Sequence, residues 1–275
     1  MSARPTGRNE VAARGLLQRL FGLEGKATLV TGAAGGIGRA LATGLAEAGA
    51  AIALADIDET GAEAAAADLV RRGFSAMAVK VNLADLRSIT RMVAKVVRGL
   101  GRIDILVNCA AVNRRQPVVE VDPETFDRIV AVNFRGLYQV SQQVASRMIA
   151  QGRGGKIIHI GSINSRVGLA GVSVYGGMKA AISQVTMVMA IEWARHNIQV
   201  NCIAPGFMRT PLIAPLLSDR KKARWIRGRI AMERPGEPQE LVGITLLLAS
   251  PASSYITGQT YYVDGGMTAG GRPWL

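Results

Sequence analysis

From Lys26 onward, short apolar runs and longer stretches with helical spacing take turns along the chain. Ala27-Thr28-Leu29-Val30 reads as a buried strand. Ala51–Ala55, Phe74–Val81, Ile103–Val107, Lys156–Ile160, Ile198–Ile203 and Thr260–Val263 read the same way. Such runs, apolar without strict alternation, fit strands covered on both faces. Between them, 39–49, 59–72, 85–99, 123–150, 172–196 and 237–249 carry apolar positions at the 3.6-residue period of helices packed on one side. Strands alternating with helices predict a single α/β domain: a doubly wound, Rossmann-like parallel sheet of about seven strands, with helices on both faces. Residues 25–267 make up this domain. Residues 1–24, polar and basic, form an N-terminal arm outside the pattern, and 268–275 a short tail.

Composition narrows the class. A chain of 275 residues that is 49% hydrophobic is long enough for one well-covered core. No apolar run looks long enough and free enough of charge to span a bilayer, and the N-terminus lacks a secretory apolar segment. The only cysteines, Cys109 and Cys202, fall in apolar strand-like runs and read as reduced, buried thiols of a cytoplasmic protein. With two histidines and no His/Cys cluster, no metal site is expected. The net charge of +13 is partly local. Arg220, Lys221, Lys222, Arg224, Arg227, Arg229 and Arg234 stand against Asp219 and Glu233. The cluster lacks the interleaved aromatics of a nucleic-acid surface. A solvated helix face and a substrate lid at about 207–235 that receives an anion both account for it.

Chemistry concentrates in two places. Thr31-Gly32-Ala33-Ala34-Gly35-Gly36-Ile37-Gly38 follows a strand and opens a helix. Glycines there let backbone N–H groups approach a pyrophosphate at the helix N-terminus. The acidic residue at the end of the next strand, Asp56, is placed to accept bonds from ribose hydroxyls and to repel a 2′-phosphate. Asp58 adds to the negative field, and Ala34 and Gly35 offer no cation. NAD(H) is therefore expected over NADP(H). The second place is the stretch 162–179. Tyr175 and Lys179 are four apart, so on a helix they share a face, and the ammonium favours the phenolate. Ser162 falls just past the carboxyl end of a strand, where open α/β sheets bind ligands. A hydroxyl, a phenol and an ammonium at one strand edge suit proton transfer at an alcohol oxygen.

Several spaced motifs together resemble the short-chain dehydrogenase/reductase family over about 25–267. They are Thr31-Gly32-x-x-x-Gly36-x-Gly38, Asn108 with Ala110, Asn133, Ser162, Tyr175-x-x-x-Lys179, and Pro205-Gly206 with Thr210. The phrase 198–206 and the ending Val263-Asp264-Gly265-Gly266 look most like the branch holding gluconate 5-dehydrogenases and 3-oxoacyl-[acyl-carrier-protein] reductases. The resemblance implies an NAD(H)-dependent secondary alcohol/ketone oxidoreductase, acting on a sugar acid or polyol, or alternatively on a 3-oxoacyl thioester. It implies Tyr175 as general acid/base, with Ser162 holding the substrate oxygen. Lys179 would grip the nicotinamide ribose, and Asn133 would hold a relay water. Gly32, Gly36, Ile37, Gly38, Asp56, Ile57, Asn82, Leu83, Asn108, Ala110, Tyr175, Lys179, Pro205, Gly206, Met208 and Thr210 would surround the dinucleotide. Two positions depart from the family pattern: Cys109-Ala111 where it has Asn and Gly, and Asn82 where it often has Asp. The family also implies a homotetramer built partly on the 172–196 helix. His159, inside a strand, reads as a satisfied core residue, and Val185, Val188, Met189 and Trp193 as packing.

Overall fold

The computed structural model describes residues 7–270. The rest of the expected arm and tail lie outside the described residues. Seven strands, β1 (Ala27–Thr31), β2 (Ala51–Asp56), β3 (Ala76–Lys80), β4 (Ile105–Asn108), β5 (Gly155–Ile160), β6 (Ile198–Pro205) and β7 (Thr260–Val263), form one sheet. Their order is β3-β2-β1-β4-β5-β6-β7 and every pairing is parallel. Parallel strands need crossovers, and the intervening apolar-striped segments supply them. On one face lie α2 (Gly36–Glu47), α3 (Glu59–Arg71) and the C-terminal α10 (Val242–Ala249), around Leu41, Leu45, Ile52, Leu69 and Leu248. On the other lie α4 (Leu86–Leu100), α5 (Pro123–Val130), α6 (Leu137–Gln151) and α7 (Ser173–Trp193), around Met92, Val96, Val140, Val144 and Met189.

The strand order reverses between β1 and β4, which pair Thr31 with Asn108. At such a switch point the connections leave in opposite directions and open a crevice beyond the carboxyl ends. In the same register Asn108 faces His159 and Ile160 faces Ile203, so four strands end on one rim.

Four elements differ from the sequence reading. Within the N-terminal arm, Gly7–Phe21 folds as a helix, α1, packed near the Pro251–Ser253 turn. The single helix expected over 123–150 is interrupted: Ala131–Gly136 forms a π-helical turn between α5 and α6. The basic segment builds two short helices, α8 (Ala214–Ser218) and α9 (Arg220–Arg229), the second capped by the Asp219 side chain. Finally, the expectation that no segment has the length and apolarity of a bilayer span is corrected. The helix over Ser173–His196 passes that test, with a mean hydropathy of 1.2. Here it packs on the sheet, with Lys179, Ile182, Thr186, Met189 and Ala190 facing inward.

Candidate active site

The glycine turn is built for close approach. Gly32 has a φ of +71°, and a Cβ there would lie 2.6 Å from the Ala110 backbone. A Cβ on Gly38 would lie 2.0 Å from the Gly32 carbonyl oxygen. Any side chain at either position would push the β1 turn away from α2 or β4. The N-cap of α2, Gly35, carries no capping side chain, so the first N–H groups of α2 remain available to an anion. Thr31 Oγ1 accepts from the N–H of Cys109 at 3.1 Å and of Ala110 at 3.4 Å, which locks the β1 and β4 ends together. Asp56 fixes the turn from the far side: Oδ2 accepts from the Ala34 N–H at 3.0 Å and Oδ1 from the Asp58 N–H at 3.1 Å. This is a cradle that fits a dinucleotide phosphate, with a carboxylate at the ribose end.

The proton-transfer set sits across the rim. Ser162 follows β5 by two residues, and Lys179 projects from α7 into the protein, almost wholly buried. Lys179 Nζ donates to the Ile160 carbonyl at 2.6 Å. Its ammonium lies 5.5 Å from the centre of the Tyr175 ring. Burying an ammonium is costly without a partner, so the Ile160 bond fixes the Lys179 head in place. Asn164 holds Ser162 twice: Ser162 Oγ donates to Asn164 Oδ1 and accepts from the Asn164 N–H, both at 3.1 Å.

Of the residues expected from the sequence, all but Asn108 and Asn133 line one cleft of about 780 Å³, a size suited to a cofactor with a small substrate. Asn108 is buried behind the wall that Cys109 and Ala110 form, and its Nδ2 donates to Ser141 Oγ at 2.9 Å. It braces the cleft rather than touching its contents. Asn133 uses its whole side-chain amide on Val112: Oδ1 accepts the Val112 N–H and Nδ2 donates to the Val112 carbonyl, each at 2.8 Å. The π turn carries this residue and steadies the loop after β4, so the side chain is not directed at a water beside Lys179. Asn82, expected beside the dinucleotide, already accepts the Ala84 N–H at 3.0 Å with its Oδ1.

Sequence reasoning missed Arg115 and Asn164. Arg115 stands at the cleft rim; partial burial lowers its pKa, while Tyr175 opposes that shift. A cation a few residues past a strand end was the available signal. The segment 207–236 closes over the opposite side. Its ends are pinched together: the Gly236 N–H donates to Phe207 O at 2.9 Å and the Arg209 N–H to Gly236 O at 2.8 Å. Arg209 pairs with Glu237 at 2.8 Å, and Arg234 forks onto Glu240. The cleft lining reaches Ile213 and includes none of the α9 cations. Ala223 and Ile226 turn inward instead, Ile226 joining Ile163, Phe207 and Met267.

A family model described as Enoyl-(Acyl carrier protein) reductase matches residues 32–268. The chain belongs to the short-chain dehydrogenase/reductases, oxidoreductases that act on CH–OH groups. It is similar to 5-keto-D-gluconate 5-reductase of Escherichia coli K12, 40% identical over 248 residues, which are 90% of this chain and 97% of the relative. Among solved structures it is similar to a gluconate 5-dehydrogenase from Burkholderia cenocepacia J2315, in complex with NADP and tartrate. The TM-score is 0.89 and the identity 38%, covering 93% of this chain and 99% of that one. It is also similar to a 3-ketoacyl-(acyl-carrier-protein) reductase from Brucella melitensis complexed with NADH, at a TM-score of 0.82 and 33% identity, covering 90% and 99%.

Proposed function

We propose that this protein is an NAD(H)-dependent oxidoreductase that interconverts a secondary alcohol and a ketone on a sugar acid, in the manner of a gluconate 5-dehydrogenase. One observation carries the reading: Ser162, Tyr175 and Lys179 line one cleft with a solvent-edge cation, Arg115, at its rim. The nicotinamide cofactor, when bound, supplies or accepts the hydride. The chain does the rest. Tyr175 gives a proton to the substrate oxygen in reduction and removes it in oxidation. Ser162 donates a hydrogen bond to that oxygen, where charge develops. Asn164 releases Ser162 for this task without moving it, because its own N–H keeps the serine oxygen in place. Lys179, held on Ile160, keeps a positive charge beside the phenol, and Arg115 meets the substrate carboxylate. A relay through Asn133 would have to run from its main chain.

The carboxylate of Asp56 at the ribose end supports NAD(H) rather than NADP(H). The segment 207–235 acts as the substrate lid. The apolar outer face of α7, with Met187, Val188 and Ile191 exposed, supports a homotetramer in which a second copy covers it. Two unpaired thiols, Cys109 and Cys202, fit a reducing cytoplasm. The carrier-linked 3-oxoacyl reading has less behind it, since the α9 cations that would suit an acidic carrier stay outside the cleft. A dinucleotide-binding regulator without chemistry would not need all three of Ser162, Tyr175 and Lys179.

The test is NADH consumption, followed by absorbance, with 5-keto-D-gluconate, ketoses and an acetoacetyl thioester. Turnover of 5-keto-D-gluconate is expected; turnover of the thioester alone would overturn the sugar-acid reading. Tyr175→Phe should lose at least a thousandfold in kcat while NADH fluorescence titration gives a nearly unchanged Kd. Undiminished turnover in that variant would remove the phenol from its role.

A further inference from the structure

A second polar system lies behind the cleft wall, and the proposed chemistry does not use it. Four buried side chains from four elements stand in a line: Asn108 ending β4, Ser141 in α6, His159 in β5 and Thr186 in α7. Asn108 Nδ2 donates to Ser141 Oγ at 2.9 Å. Ser141 Oγ lies 3.1 Å from His159 Nε2, and His159 Nδ1 lies 2.9 Å from Thr186 Oγ1. Each hydroxyl also reaches the carbonyl one turn back, Ser141 to Leu137 at 2.8 Å and Thr186 to Ile182 at 2.7 Å.

Burial, with the charge of Lys179 adding to it, pushes the His159 imidazole down to about 3. The ring is therefore neutral at working pH. A neutral imidazole donates through one nitrogen and accepts through the other, so in either tautomer it joins Ser141 to Thr186: one hydroxyl accepts the ring N–H and keeps its bond to the helical carbonyl, while the other turns its proton from that carbonyl to the ring. A phenyl ring would fill the space and leave both hydroxyls facing carbon on that side, Ser141 keeping Asn108 and its helical carbonyl, Thr186 its helical carbonyl alone.

Thr186 lies seven residues beyond Lys179, two turns along α7 on the same inward face. Lys179 is bonded to the carbonyl of Ile160, the residue next to His159. Consecutive residues of β5 thus fasten α7 at two heights, and two residues further on the same chain presents Ser162. We propose that His159 is a positioning residue of the proton-transfer site. Through Thr186 it fixes the roll of α7, and so where Tyr175 and Lys179 stand relative to Ser162. The scale makes this matter. A roll of about 10° carries a side-chain tip at about 6 Å from the axis through about 1 Å. Misplacement of that size can cost on the order of a hundredfold in rate.

The kinetic arm rests on the proposed reaction, so a second arm needs no substrate. In His159→Phe, kcat for 5-keto-D-gluconate with NADH should fall at least tenfold, while the Kd for NADH stays within twofold. His159→Gln, whose amide both donates and accepts, should recover most of kcat. Thr186→Val should show the same loss, and the double variant should be no worse than either single one. In hydrogen exchange on the protein alone, amides of 173–181 should open faster in His159→Phe and in Thr186→Val, while β1 and β2 keep their protection. Unchanged exchange over 173–181, or a loss of protection equal throughout the core, would overturn the proposal, as would an unchanged kcat. If the wild-type chain turns over none of the offered ketones, the sugar-acid reading fails alone, and the exchange arm still decides the role of His159.

Discussion

The carboxylate of Asp56 performs two tasks. It anchors the glycine turn through the Ala34 N–H, and in the proposed NAD(H) reading it sets a negative charge where an adenosine 2′-phosphate would come. Replacing it with serine keeps an acceptor and removes the charge. In Asp56→Ser the ratio of kcat/KM for NADPH to that for NADH should rise at least tenfold in steady-state assays. A wild-type enzyme that already favours NADPH would end the NAD assignment. Residues such as Asp56 were legible because their meaning is local: an acid at a strand end, a fixed distance past a glycine turn. Tyr175 and Lys179 were legible through helical spacing. Arg115 and Asn164 were not, since their role comes only from where the fold brings them. Asn133 was expected to hold a relay water; its side chain bonds Val112 from the π turn instead, and nothing in its spacing announces such a turn. The Cys109 thiol, pushed up to about 12 by burial, is a wall residue and no nucleophile.

At the scale of elements, the strands were read within two residues because buried parallel strands have an apolar signature that polar loops interrupt. The helices were read by their period, and the errors fall where a period cannot show a break. A π turn inserts one residue per turn without changing the apolar count, so 123–150 looked continuous. The helices α8 and α9 of the basic segment are short, and α9 is mostly cationic, so packing on Ile163 and Phe207 rather than pattern makes them helical. The β1–α2 turn yields a direct prediction. Gly38→Ala places a methyl 2.0 Å from a backbone oxygen that cannot yield cheaply. NADH affinity by fluorescence should weaken at least tenfold and the Tm should fall. An alanine variant with native affinity would show that the turn is not the phosphate cradle.

For the whole molecule, the sheet order puts every reacting group on one rim, while the opposite ends of the strands carry none of the candidate site. One apolar feature among the described residues is the outer face of α7, where Ile191 is 79% exposed. An apolar helix can be covered by lipid or by protein, and its inner face is already committed to the sheet with a buried lysine. Ile191→Glu should therefore convert the proposed tetramer into smaller species by light scattering, with the far-UV circular dichroism unchanged. An unaltered mass would place the assembly contact elsewhere.

If 207–235 is the substrate lid proposed above, the pinch between Phe207, Arg209 and Gly236 has a consequence for how substrate is admitted. A flap free at both roots must surrender conformational entropy each time it shuts, by an amount that grows with its length. Here that surrender happened once, when the chain folded. A lid so rooted would swing as a single body about a narrow neck, and affinity would not be diluted by reordering a loop at every catalytic cycle.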